Sequence, residues 1–133
     1  MIDGYIESME GCRFPMPWDQ DFQSSEGYRL YQTMAKLKAG HPALSCGSMK
    51  ILYANGHILS IARFWEQEAF VCVISVEEED RAIRLPLGAV GAAIPQEMYD
   101  IFHRPLLFQD CDRHSVIMQV KAHESYLFRC DIP

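Results

Sequence analysis

The 133-residue chain lacks the long apolar runs, cysteine pairs and basic clusters that mark many specialised protein classes. No apolar stretch approaches the roughly 20 residues that span a bilayer. Basic residues number 12 against 18 acidic ones, a net charge of −6, and they are scattered. Phosphate binding needs clustered Lys and Arg, so a nucleic-acid partner is excluded. The same sign argues against an anionic membrane surface. The five cysteines, Cys12, Cys46, Cys72, Cys111 and Cys130, are odd in number, widely spaced and without a CxxC pair. That denies both a disulfide framework and a zinc site. Cys72 and Cys130 sit in apolar runs, where a thiol behaves as a small hydrophobe. The opening "MIDGYIESME" has neither a basic nor an apolar region of the kind a signal peptide needs. The expectation is a reducing, cytoplasmic setting.

Catalytic signatures are equally scarce. There is no GxSxG elbow, no phosphate-cradling glycine loop and no HExxH. His41, His57, His103, His114 and His123 fall in turns or at strand ends without metal-ligand spacing. No metal and no cofactor is expected. Carboxylate pairs that could serve glycoside hydrolysis are Asp19 with Asp21, Glu66 with Glu68, and the run 77–80. All lie in polar, turn-like contexts. A general acid needs burial to raise its pKa, so none is expected to be catalytic.

What is present is a globular pattern. The hydrophobic fraction is 49% and the length suffices for a core without staples. Residues 1–23 show no sustained period and read as an irregular loop. "SSEGYRLYQTMAKLKAGHP" then predicts an amphipathic helix, with Ser24 or Ser25 as N-cap and Leu30, Tyr31, Met34 and Leu37 on one face. Gly40 is the expected C-cap, and Pro42 forbids continuation. Beyond Leu44 the period becomes alternating. "MKILY" and "HILSIARFW" flank a turn in which Asn55 and Gly56 would both take positive φ. "AFVCVISV" reads as a central strand and "RAIRLPL" as a strand ended by Pro86. Shorter strands follow in "YDIFHR", "PLLFQD", "HSVIMQV" and "ESYLFRCD", while 88–98 has no readable period. The fold class is mainly β, an antiparallel sandwich preceded by one amphipathic helix and an irregular N-terminal loop.

Two tryptophans bear on ligands, because sugar faces stack on aromatic rings. Trp18 lies in the polar loop "CRFPMPWDQDFQ" and is open to either a ligand or a packing role. Trp65, beside Phe64 at a strand end, reads as a core or interface anchor.

The run "RFPMPWD", a helix, "KLKAGHPALSCG" and "ILYANGHILSIARFW" together resemble the end of the alpha-amylase family of glycoside hydrolases. The branch it is most similar to is that of neopullulanase, cyclomaltodextrinase and oligo-glucosidase. "YDIF" and "AHESYLFRC" resemble the family's closing segment; 88–98 is not covered. The resemblance implies a rim loop and last barrel helix over 1–44, and a C-terminal antiparallel β-sandwich, domain C, over 45–133. It further implies substrate contacts from Arg13, Trp18 and Asp19, with Phe14 standing where relatives often carry a second basic residue. The family's catalytic carboxylates have no counterpart here. The implied role is a C-terminal fragment of an alpha-glucan-hydrolysing glycosidase, stabilising the barrel and not catalytic alone. Its parent's partner would be an alpha-glucan or malto-oligosaccharide. An orphaned helix face would drive homo-oligomerisation. Two other readings compete: a free-standing starch-binding module with Trp18, Phe64 and Trp65 as its platform, and a protein-interaction domain using the helix face.

Overall fold

The computed structural model describes residues 24–133, and the chain divides between Lys36 and Leu37 into two compact units. Helix α1, Glu26–Gly40, starts at a serine cap: the Tyr28 N–H donates to the Ser25 hydroxyl at 3.2 Å. Gly40 does not take the left-handed cap conformation expected of it, since it is absent from the positive-φ residues. The break comes one residue later. His41 is extended, with φ −130° and ψ 113°, as the residue before a proline prefers. Pro42 then opens a second short helix, α2, Pro42–Ser45, at the position where a missing N–H costs nothing. So Pro42 ends one helix and starts another.

The second unit, from Leu37 onward, holds seven strands in two antiparallel sheets. The first sheet contains β1 (Ser48–Asn55), β2 (Ile58–Trp65), β3 (Glu68–Ser75) and β7 (Ser125–Asp131), in that order. The second contains β4 (Arg81–Leu85), β6 (Ser115–Val120) and β5 (Leu107–Asp112). The β-branched run 69–76 is the central strand it was expected to be, paired with β2 on one side and β7 on the other. Pro86 ends β4, and a single 3₁₀ turn, Leu87–Val90, follows it. That turn occupies part of the stretch without a readable period.

The β1–β2 hairpin corrects the sequence expectation. Asn55 pairs with Ile58, so the two turn residues are Gly56 and His57, not Asn55 and Gly56. Only Gly56 is left-handed, at φ +57°. A glycine with positive φ at the first turn position is the sign pattern of a type II′ turn, whose twist matches the strands as well as type I′ does.

Alternation along the strands builds the core. Ile58, Ala62, Ala69, Val71, Val73, Tyr126 and Phe128 of the first sheet meet Ile83, Leu85, Val116, Met118 and Val120 of the second. Phe108 and Phe128 touch edge to face, centroids 5.5 Å apart, a favoured aromatic geometry. Cys130 is buried in this layer, and burial, with the neighbouring Asp131 charge, pushes its thiol up to about 12. It is the inert small hydrophobe expected. Ser60 also faces the core, and its hydroxyl has no hydrogen-bond partner.

Candidate functional site

The outer face of the first sheet carries the most organised chemistry in the described residues. Inner-face residues of β3 alternate with Glu68, Phe70, Cys72 and Ile74, and across the β3–β7 pairing Glu68, Phe70 and Cys72 lie opposite Asp131, Arg129 and Leu127. At one end this face is covered. Ala43, Phe70 and Leu127 form a second buried cluster, with Leu37, Leu44, Ile101 and Phe102 packed against it.

The stretch "HPALSCG" builds that cover residue by residue. His41 Nδ1 lies 3.0 and 3.2 Å from the two Glu68 carboxylate oxygens, and its ring meets Phe70 edge-on at 4.9 Å. Pro42 starts α2, and Ala43 is driven into the cluster. Gly47 brings the chain back so tightly that an added Cβ would collide with the Ala43 carbonyl and stand 2.8 Å from the Phe64 carbonyl oxygen. Arg63 donates to the Gly47 carbonyl oxygen at 3.1 Å. Each conspicuous residue of the motif thus serves docking.

Glu68 is the charged centre. Arg129 Nε donates to it at 2.9 Å and also ties Asp131. Burial pushes the Glu68 carboxyl up, but the hydrogen bonds and charges of Arg129 and His41 outweigh it, and the carboxyl lies below its usual value. A carboxylate held ionised cannot act as a general acid.

A second organiser was not legible as such in the sequence. Asp100 is only 5% exposed, and both its oxygens accept backbone hydrogen bonds: Oδ1 from Phe102 and Arg104 at 2.9 and 2.8 Å, Oδ2 from Leu127 at 3.2 Å. The Ile101 N–H in turn donates to the Leu127 carbonyl oxygen at 2.9 Å. Asp100 and Ile101 therefore close the free edge of β7 in place of another strand. The available signal was the aspartate itself, whose side chain readily accepts from the backbone N–H two residues on in an Asx turn.

The remaining sequence candidates separate. Arg13, Trp18 and Asp19, with Asp21, lie outside the described residues. Trp65 is 44% exposed, which excludes the core half of its expected role and leaves the interface half: it ends β2 on the outer face, while its neighbour Phe64 turns inward and packs against the core. Consecutive strand residues point to opposite faces, so Phe64 and Trp65 cannot form one stacking platform. Glu66 is a turn residue at φ +52°. Apart from His41, the histidines stand in turns, with His103 and His123 at φ 62° and 55°. Among the described residues no three His, Cys, Asp or Glu gather as a metal site, and no helix is long and apolar enough to cross a membrane.

The architecture is that of a β-sandwich whose outer face is capped by the end of a helical lead-in. The chain matches no protein-family profile. Alpha-amylase 2 of Dictyoglomus thermophilum is 25% identical over 85 residues, 64% of this chain and 15% of that protein. A cyclomaltodextrinase of a Bacillus species is 29% identical over 80 residues, 59% of this chain and 14% of that protein. In fold it is similar to the debranching enzyme of Nostoc punctiforme, with a TM-score of 0.63 and 13% identity over 84% of this chain and 23% of that one. The proteins it is similar to are thus alpha-amylase-family enzymes, and the chain spans about one seventh of the length of the curated relatives it matches.

Proposed function

We propose that this chain is the C-terminal part of an alpha-glucan-hydrolysing glycosidase of the neopullulanase and cyclomaltodextrinase branch. Residues 1–44 would close the catalytic barrel with its rim loop and last helix, and 45–133 would be the C-terminal sandwich. Its work is to brace the barrel, in the cytoplasm, and the alpha-glucan or malto-oligosaccharide is handled by the parent enzyme. The observation that carries this reading is the junction at α2. Glu68, Phe70 and the space at Gly47 fix the end of a helix onto the outer face of a sheet. A self-contained binding module has no need of such a dock. Arg13, Trp18 and Asp19 are the residues proposed to meet substrate at the rim.

The described residues supply no acid and nucleophile. Asp100 is their one buried carboxylate, and its oxygens are occupied. The purified chain is therefore expected to turn over neither cyclodextrin, pullulan nor starch. Turnover that disappears on replacing Asp19 or Asp21 by Asn would sink this reading.

A further inference from the structure

We infer that the open edge of the sandwich, where the β1–β2 hairpin meets β4, holds a binding site for a neutral polyhydroxylated ring, a single pyranose unit. A cavity of about 230 Å³ lies there, lined by Tyr53, Asn55, Ile58, Glu77, Arg81 and Ile83 among others. Ile58 and Ile83 are buried core residues that close its floor, and the surface it presents is mostly polar. The charged side chains form only loose ion pairs with one another. Glu77 stands 3.8 Å from Arg81 and 3.8 Å from His57, and Arg81 is 3.7 Å from Glu79, all beyond hydrogen-bond length. Among the described residues the side chains of Tyr53, Asn55, Glu77 and Arg81 make no hydrogen bond, although Glu77 is largely covered.

This donor and acceptor set selects its ligand. A carboxylate only accepts and a guanidinium only donates, while an amide does both. A group that satisfies all three at once must be donor and acceptor together, as neighbouring hydroxyls are. Glu77 and Glu79 outweigh Arg81, so phosphate and carboxylate ligands are repelled. A mostly polar surface over an apolar floor suits a hydroxyl-rich ligand better than an apolar one, and this volume, below the roughly 300–1,000 Å³ of drug-sized pockets, suits one ring. The site lies on β1, the start of β2, β4 and the connection that precedes it, apart from the α2 junction. That the ring is a glucoside rests on the function proposed above; the preference for a neutral polyol does not.

The test is an amide chemical-shift titration of the full chain with maltose, cellobiose and inorganic phosphate. Maltose is expected to move the amides of Asn55, Gly56, Glu77 and Ala82 with millimolar affinity. Arg81→Ala and Glu77→Gln should each weaken binding by about tenfold, while Trp65→Ala leaves it unchanged. Asn55→Ala serves where Arg81→Ala fails to fold, and the spectrum itself reports folding. Cellobiose binding at the same amides, with or without maltose, supports the polyol site; without maltose it counts against the alpha-glucan reading alone. Shifts caused only by phosphate, or none at these amides with either disaccharide, overturn the site.

Discussion

Replacing Asp100 by alanine tests whether one side chain closes the β7 edge. Its carboxylate accepts three backbone hydrogen bonds, at 2.8, 2.9 and 3.2 Å. The Phe102 and Arg104 donors are part-buried, so water replaces much of what they lose, at about 1 kcal/mol each. The Leu127 donor is buried in the strand and has no such recourse. An unsatisfied buried N–H costs about 1–3 kcal/mol, which brings the whole to about 3–5 kcal/mol. Domains have a total stability of only about 5–15 kcal/mol. For a unit of this size each kcal/mol is worth roughly 4–8 °C, so Asp100→Ala should melt on the order of 12–40 °C lower.

Asp100→Asn separates shape from charge. The amide keeps one oxygen for two of the donors but turns its NH₂ toward the third, so its loss should fall between wild type and alanine. Urea unfolding followed by far-ultraviolet circular dichroism gives the ranking. Freed edge groups also template pairing with other chains, so the alanine variant should aggregate more readily with concentration. A loss below about 1 kcal/mol, the worth of one ordinary hydrogen bond, with no change in association, would refute the edge-closing role.

Four further outcomes follow from single contacts. Gly56→Val should cost at least about 1 kcal/mol, because a β-branched residue resists φ +57°; an unchanged urea midpoint would mean the turn is built otherwise. Ser60→Ala should stabilise by about 1 kcal/mol, since it removes a buried hydroxyl without a partner; a clear loss in calorimetry would mean the hydroxyl has found one. Glu68 has a lowered folded pKa, so the unfolded chain takes the proton first as pH falls. Its contribution is complete above the usual glutamate value of 4.5 and is lost as pH drops through the folded value, so Glu68→Gln should flatten the acid side of the stability profile and leave its shape near neutrality unchanged. Leu30, Tyr31 and Met34 are exposed on α1, and sedimentation should show self-association that a Tyr31→Glu, Met34→Glu variant loses while staying folded; a monomeric wild type removes the helix face as a contact.

The strands and the central place of β3 were legible where the alternation was clean; the order of the strands in the two sheets was not. Val71, Val73, Val116, Met118 and Phe128 all turn inward as their spacing requires. Turns were less legible, because Asn-Gly serves two registers. With Gly56 at the first turn position the Asn55 side chain stays on the strand, and tertiary pairing with Ile58 selected that register. The stretch 99–104, "YDIFHR", was expected as a short strand and is a turn built on Asp100. It has no period of its own: a bridge between Tyr99 and Pro105 and the bonds to Leu127 hold it, and neither can be counted along a sequence. Trp65 stays out of the core because its neighbour Phe64 took the inward position, and a strand end gives no vote on which of two adjacent aromatics is buried.

The kind of evidence a motif supplies depends on what its residues do. His41, Ala43 and Gly47 carry much of the resemblance, and here each has a mechanical task. His41 grips Glu68 and lies against Phe70, Ala43 fills the outer cluster, and Gly47 leaves room for two carbonyls. None of them performs chemistry on a substrate. A pattern made of such residues argues for a shared way of docking a helix onto a sandwich, and it would persist in a chain that had lost every catalytic group. The likeness to alpha-amylase 2 and the cyclomaltodextrinase therefore bears on scaffold first. Hydrolysis depends on carboxylates that the described residues do not gather, so a Gly47→Ala change should loosen the brace and weaken the fold without touching any reacting group.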